Sequence, residues 1–275
     1  MAKKVLVVAN ETVGGAKLIE KVREKTGEGD SLALVIPQSR PKSGNVIYLD
    51  AMFDAAEVRL SLARQFMAEE GVDIQGEVGD SDPFSAAMDA ILEFRPDEVI
   101  VSTKPATVSG WLRRDLVERI RNESGLPVEH VVVDLEHEGL PFDVTLVIAN
   151  KTVGAQPLID RLEAMAEEKP HLFIVLVPQD HGGGHAVREA RDRLRRTLQS
   201  LRDGGLLCAG MIGPPDPYDA TMAALQSFRV DDIVVSTLPA TKSGWMRADL
   251  IERLRSATGK TVEHVIGEQT APTAS

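Results

Sequence analysis

The polar and apolar positions of this chain fall into short apolar runs separated by longer stretches of helical period. Val5 to Ala9 is a continuous apolar run, as expected of a strand buried on both faces of a parallel sheet. Helical periodicity follows around Lys17–Val22. Leu32 to Ile36 is the next buried strand, stopped by Pro37. The pattern then predicts a long helix from about Ala51 to Glu70, with Gly71 as its C-terminal cap, and a strand from Asp73 to Val78. Asp82-Pro83 supplies an N-cap followed by proline at the first helical position, opening a helix to about Phe94. Glu98–Val101 is a strand, Trp111–Asn122 a helix and Val128–Val133 the last strand of this series.

The series then starts again. Thr145–Ala149 and Leu172–Val177 read as strands, Ala186–Arg202 as the long helix and Leu206–Ile212 as a strand. Asp216-Pro217 caps the next helix, and Ile233–Val235 and Val262–Ile266 complete the set. Local sequence repeats with the pattern. Val101-Ser102-Thr103-Lys104-Pro105-Ala106-Thr107-Val108-Ser109-Gly110-Trp111 returns as Val235-Ser236-Thr237-Leu238-Pro239-Ala240-Thr241-Lys242-Ser243-Gly244-Trp245, and Val8-Ala9-Asn10 returns as Ile148-Ala149-Asn150. Strict strand–helix alternation implies right-handed crossovers and helices on both faces of a parallel sheet. The expected architecture is therefore α/β: two tandem domains, each a five-stranded parallel sheet. Residues 1–137 form the first domain, 138–269 the second, and 270–275 a disordered tail. The polar, structure-breaking stretch Glu136–Pro141 reads as the linker. The halves differ mainly in one connection, where the first has an extra loop at Ser39–Leu49 and the second a glycine loop at His181–His185.

Composition narrows the function. The chain has 275 residues, 43% hydrophobic and 27% charged, as in ordinary globular domains, and only 4% aromatic, so its cores are aliphatic. A net charge of -11 opposes a nucleic-acid backbone. No apolar run approaches the length that spans a bilayer, and Met1-Ala2-Lys3-Lys4 leads directly into a strand rather than a signal peptide. A single cysteine, Cys208, excludes an internal disulfide and a thiolate metal cluster. These features point to a cytoplasmic protein.

Element order, together with Val8-Ala9-Asn10, Gly79-Asp80-Ser81-Asp82-Pro83 and Val99-Ile100-Val101-Ser102-Thr103, resembles the universal stress protein family, as two tandem copies over nearly the whole chain. The resemblance implies a flavodoxin-like, adenine-nucleotide-hydrolase-like fold and a non-catalytic stress-response role. It also implies an adenine nucleotide, ATP or AMP, bound at the carboxyl ends of the first and fourth strands of each half. The chain departs from the ATP-binding members at three points. Asn10 and Asn150 stand where the family has Asp. The loop after Ser102-Thr103 lacks the family's glycine spacing. Asp115 and Asp249 stand at the later Gly-Ser position, where a carboxylate repels phosphate. Two other readings follow from these departures: a structural or interaction module that has lost nucleotide binding, and a slow ATP hydrolase.

Ligands of open α/β sheets bind outside the carboxyl ends of the strands at a topological switch point. That places Asn10, Thr12, Ser102, Thr103, Lys104 and Ser109, with Asn150, Thr152, Ser236, Thr237, Lys242 and Ser243, as candidate ligand contacts. The plainer reading is that they cap helices and shape turns. Arg113, Arg114 and Arg247 near the same loops suit either phosphate or surface ion pairs. Trp111 and Trp245 suit base stacking or, more simply, packing on the sheet. His130 and His264 match each other in the last strands and suit a shared structural role. His181 and His185 lack further partners for a metal. The short apolar last strands invite edge pairing, giving an intramolecular pseudo-dimer of the halves and scope for a homo-oligomer.

Overall fold

The structure is a computed structural model and describes residues 2–27, 29–39, 49–69, 71, 74–105, 111, 115–179, 184–239, 245 and 249–267. The chain divides into two compact units, the first ending at Pro141 and the second beginning at Phe142.

In the first unit the elements are β1 (Lys4–Val8), α1 (Ala16–Lys25), β2 (Ser31–Pro37), α2 (Leu49–Glu69), β3 (Ile74–Gly79), α3 (Pro83–Phe94), β4 (Glu98–Thr103), α4 (Leu116–Ser124), β5 (Val128–Val132) and a single turn, α5 (Leu135–Glu138). All pairings are parallel, in the order β3-β2-β1-β4-β5. The strands are added outward in one direction from β1 and in the other from β4, so the switch point lies between these two parallel strands. The helices divide between two faces. Leu18, Ile19 and Val22 of α1 and Ala56, Leu60 and Ala63 of α2 pack with Val5, Val7 and Ile100. Ala86, Ala87 and Ala90 of α3 and Leu116, Val117 and Ile120 of α4 pack with Leu6, Val8, Val99 and Val101. Odd and even residues of one central strand thus serve opposite cores, which is why the strands read as unbroken apolar runs.

The second unit repeats this plan with β6 (Asp143–Ile148), α6 (Gln156–Glu168), β7 (His171–Pro178), α7 (Gly184–Asp203), β8 (Cys208–Gly213), α8 (Pro217–Ser227), β9 (Asp232–Thr237), α9 (Leu250–Thr258) and β10 (Thr261–Ile266). Its sheet order, β10-β9-β6-β7-β8, is the same arrangement, and its pairings are parallel. Both units are doubly wound α/β sheets, as the alternation of elements predicts.

The proline-started helices form for the expected reason. Asp82 Oδ2 accepts from the Ser85 amide at 3.1 Å, and Asp216 Oδ1 accepts from Tyr218 and Asp219 amides at 2.8 and 3.0 Å. The predicted linker contains structure: Asp134 caps α5 through the Glu136 and His137 amides, and Gly139 ends it at φ +70°. Of the predicted helix at Trp111–Asn122, the part from Leu116 is helical, and residues 112–114 lie outside the described residues. Most of Ser39–Leu49, and residues 181–183 of the glycine loop, lie outside the described residues, as does the predicted tail at 270–275. Among the described residues no helix is long and apolar enough to cross a membrane.

Candidate functional site

The turn after β1 carries Asn10 to the carboxyl end of its sheet, and the Val13 amide closes it on Asn10 O at 3.1 Å. Asn10 is buried, and its Nδ2 donates to Pro37 O, at the end of β2, at 2.7 Å. Thr12 Oγ1 donates to Ser102 O at 3.4 Å; in the second unit Thr152 Oγ1 donates to Ser236 O at 3.0 Å. The same threonine therefore ties the first strand's turn to the end of the fourth strand in both halves. Ser102 and Ser236 are 0% and 1% exposed, and neither Oγ has a hydrogen-bond partner; Asn10 Oδ1 is in the same state. Strand alternation fixes the face. Ser102 has the parity of Ile100 and lies on the α1/α2 side; Ser236 has the parity of Val234 and lies on the α6/α7 side.

Thr103 and Thr237 point the other way, and their hydroxyls are committed. Thr103 Oγ1 donates to Lys104 O at 3.0 Å and meets His130 Nε2 at 2.8 Å; Thr237 Oγ1 donates to Leu238 O at 2.9 Å and meets His264 Nε2 at 2.8 Å. A hydroxyl has one proton. Given to the carbonyl, it leaves the oxygen as acceptor, so Nε2 carries the imidazole proton. Burial pushes both histidines below their ordinary range, consistent with neutral rings. The matched histidines thus have the shared structural role that their position suggests.

The cations near the site rearrange the sequence picture. Lys104 is in an ion pair with Glu11 at 2.5 Å, and its counterpart in the repeat is Leu238, not Lys242. The side chains that the sequence reading missed are Arg59 and Arg193. Arg59 is 7% exposed on α2, and burial pushes its guanidinium down to about 10, opposed by the Glu11 carboxylate. Arg193 on α7 donates from Nη1 to Asn150 Oδ1. The two occupy one position: Leu60 and Leu194, the next residue in each helix, both lie 2.7 Å from where Gly76 and Gly210 would carry a Cβ. A signal was present, since Ala56-Glu57-Val58-Arg59-Leu60 returns as Ala190-Arg191-Asp192-Arg193-Leu194. The unequal loops before these helices put the two copies out of step.

Asp115 and Asp249 stand immediately before α4 and α9 in the left-handed region, at φ 48° and 50°, a conformation that favours glycine. Both are exposed, and neither side chain caps its helix. Trp111 packs against the α3/α4 core. Ser109, Lys242 and Ser243 lie outside the described residues, as do Arg113, Arg114, Arg247 and His181; His185 is exposed, 3.6 Å from Glu189. Cys208 is buried, with its thiol pushed up to about 11, and is no nucleophile at neutral pH. At the strand ends the described groups offer neutral hydrogen bonding and a buried guanidinium.

The chain is similar to a universal stress protein from Archaeoglobus fulgidus, at 15% identity and a TM-score of 0.37, over 96% of each chain. It is also similar to a protein of unknown function from Pseudomonas aeruginosa, at 13% identity and a TM-score of 0.31, over 97% of this chain and 93% of that one. No family model matches the chain, and no curated protein matches it.

Proposed function

We propose that the chain is a tandem universal-stress-type protein that binds an adenine nucleotide, ATP or AMP, in each half at the carboxyl ends of the first and fourth strands, and acts in stress response without catalysis. One observation carries the reading: both halves keep a fully buried serine hydroxyl without a hydrogen-bond partner at the switch point, Ser102 and Ser236, on the face that also holds Arg59 or Arg193. A buried hydroxyl with no partner costs free energy, about 1–3 kcal/mol, that a polar ligand or an ordered water removes. The phosphate end is met by side chains, because Pro105 and Pro239 take an amide out of each loop and the sequence that follows each lacks closely spaced glycines. The reading includes no reaction, because the nearby titratable groups are committed: His130 and His264 to threonines, Glu11 to Lys104.

Calorimetry with ATP, AMP and adenosine tests this on the wild type and on Asn10→Ala/Asn150→Ala. Binding that the double variant weakens about tenfold or more fits the loss of a buried hydrogen bond. No heat with any of the three ligands, or binding unchanged in the variant, refutes it. Release of ADP from added ATP would move the reading to the hydrolase.

A second reading has its own observation. Val132 on β5 and Ile266 on β10 are 39% and 56% exposed, at matching positions of the edge strands that end each sheet. Exposed apolar residues on a free strand edge suit pairing with another strand, as in an interaction module. Gel filtration of Val132→Lys/Ile266→Lys against wild type checks it: a shift to a smaller species favours the module.

A further inference from the structure

The amino end of the second sheet differs from that of the first, and the difference is chemical. The strands β6, β7 and β9 lie side by side there and begin with Asp143, His171 and Asp232. One potential ligand atom from each of the three side chains lies within 4.8 Å of the other two. At the matching positions the first unit has Lys3, Asp30 and Glu98. There the cation belongs to the chain itself: Lys3 Nζ is 3.1 Å from Glu98, and the Lys3 amide donates to Asp30 Oδ1 at 2.7 Å. In the second unit the lysine has become an aspartate and the aspartate a histidine. The three residues then carry two negative charges and an imidazole in place of one net negative charge.

We infer that Asp143, His171 and Asp232 form a site for a divalent transition-metal ion of the Zn²⁺ class. The histidine is prepared for it. His171 is 6% exposed, its ring stacks on Phe173 with centroids 5.5 Å apart and planes 8° apart, and Nδ1 lies 2.8 Å from Lys169 O. A carbonyl only accepts, so Nδ1 carries the proton and the neutral ring keeps the Nε2 lone pair for a metal. A backbone carbonyl holding the other ring nitrogen is the usual support of a metal-binding histidine. One nitrogen and two carboxylates suit Zn²⁺ better than Mg²⁺ or Ca²⁺, which take oxygen ligands. Ligands around a tetrahedral Zn²⁺ lie about 3.4 Å apart, given metal–ligand distances of about 2.0–2.2 Å. Side-chain rotation of the two aspartates supplies the remaining closure.

The competing cation is Lys169, which pairs with Asp143. Its side chain is 56% exposed, so it can leave as the metal enters. Asp231 is already engaged, accepting the Val144 amide at 2.9 Å, and it is left out of the ligand set. The site lies at the end of the strands opposite the proposed nucleotide crevice and stands whether or not a nucleotide binds.

The test is Zn²⁺ titration of the full chain by calorimetry after exhaustive chelation, with Mg²⁺ and Ca²⁺ in parallel. Surface histidines bind Zn²⁺ adventitiously, so the readout is the difference between variants. Asp232→Asn, nearly isosteric, and His171→Ala are each expected to lose one equivalent of Zn²⁺, and Lys169→Ala to keep it and bind it more tightly. Circular dichroism confirms that each variant is folded; if His171→Ala is not, His171→Gln takes its place. No Zn²⁺ uptake by the wild type, full stoichiometry retained in either ligand variant, Mg²⁺ bound as tightly as Zn²⁺, or weaker binding in Lys169→Ala overturns the inference.

Discussion

Thr103 Oγ1 lies 2.8 Å from His130 Nε2, and Thr237 Oγ1 lies 2.8 Å from His264 Nε2. Each contact joins the end of the fourth strand to the last strand of its sheet, and each threonine hydroxyl donates to the carbonyl of the following residue. The bond requires a proton on Nε2 and is satisfied by the neutral ring, while burial opposes a second proton.

Stability should therefore depend on pH in a defined direction. The folded pKa of both histidines lies below the ordinary 6.5. As pH falls through about 6.5, the unfolded chain takes up protons that the folded chain resists, so stability held above that pH is lost on acidification. Histidine ring-proton titration by NMR should place both groups below 6.5, with the melting temperature falling over the same range. Either ring titrating above 6.5 contradicts the assignment. Thr103→Val removes the acceptor and should cost about 1 kcal/mol.

A packing exchange between the halves gives a second prediction. A Cβ on Gly15 would stand 2.3 Å from Val133 Cγ1; in the second unit the same two positions are Ala155 and Gly267, where a Cβ on Gly267 would stand 3.0 Å from that of Ala155. Space that valine fills in one half is shared differently in the other. Gly15→Ala alone should destabilise by about 1–3 kcal/mol through overpacking. In a Val133→Gly background the same substitution should cost little, giving a coupling of about 0.5–3 kcal/mol in urea denaturation. Additive effects would show that the two positions do not share this space.

The helix caps give a third. Asp216 Oδ1 accepts two amides at the start of α8, so Asp216→Ala should cost about 0.5–2 kcal/mol. Asp216→Asn, which keeps the acceptor, should recover most of it. A loss equal in both variants would mean that charge, not the hydrogen bonds, matters there.

The fold was legible because its signals are local. Buried parallel strands such as Val5–Ala9 are continuous apolar runs, and Asp-Pro pairs mark helix starts. The candidate site was legible only where it lies on those strands. Asn10 and Thr12 follow a strand, Ser102 lies near the end of one, and all three could be placed by order alone. Arg59 and Arg193 lie in mid-helix, where an arginine ordinarily faces solvent, and only the packing shows Arg59 buried and Arg193 half-buried against Asn150. Asp143, His171 and Asp232 are far apart in sequence and meet through strand order, so no spacing announces them. Lys104 looked available because its partner, Glu11, comes from a different strand's turn.

The arginines allow a last prediction that separates a binding role from a structural one. Burying a guanidinium is costly, and a buried ionic group replaced by an apolar side chain of similar volume often leaves stability unchanged or raised. If Arg59 and Arg193 served only the fold, Arg59→Met/Arg193→Met would weaken it, because Asn150 loses the donor that Arg193 supplies. If they serve an anion, the same double variant should stay at least as stable in the absence of ligand, and ATP and AMP affinity should fall tenfold or more, about 1.4 kcal/mol, while adenosine is less affected. Lysine at both positions should recover only part of the affinity, because an ammonium cannot present the guanidinium fork. Denaturation and calorimetry on the same preparations decide between the two. A variant that melts earlier yet binds ATP as the wild type does would assign both arginines to the fold and leave the nucleotide's phosphates without a cation from the long helices.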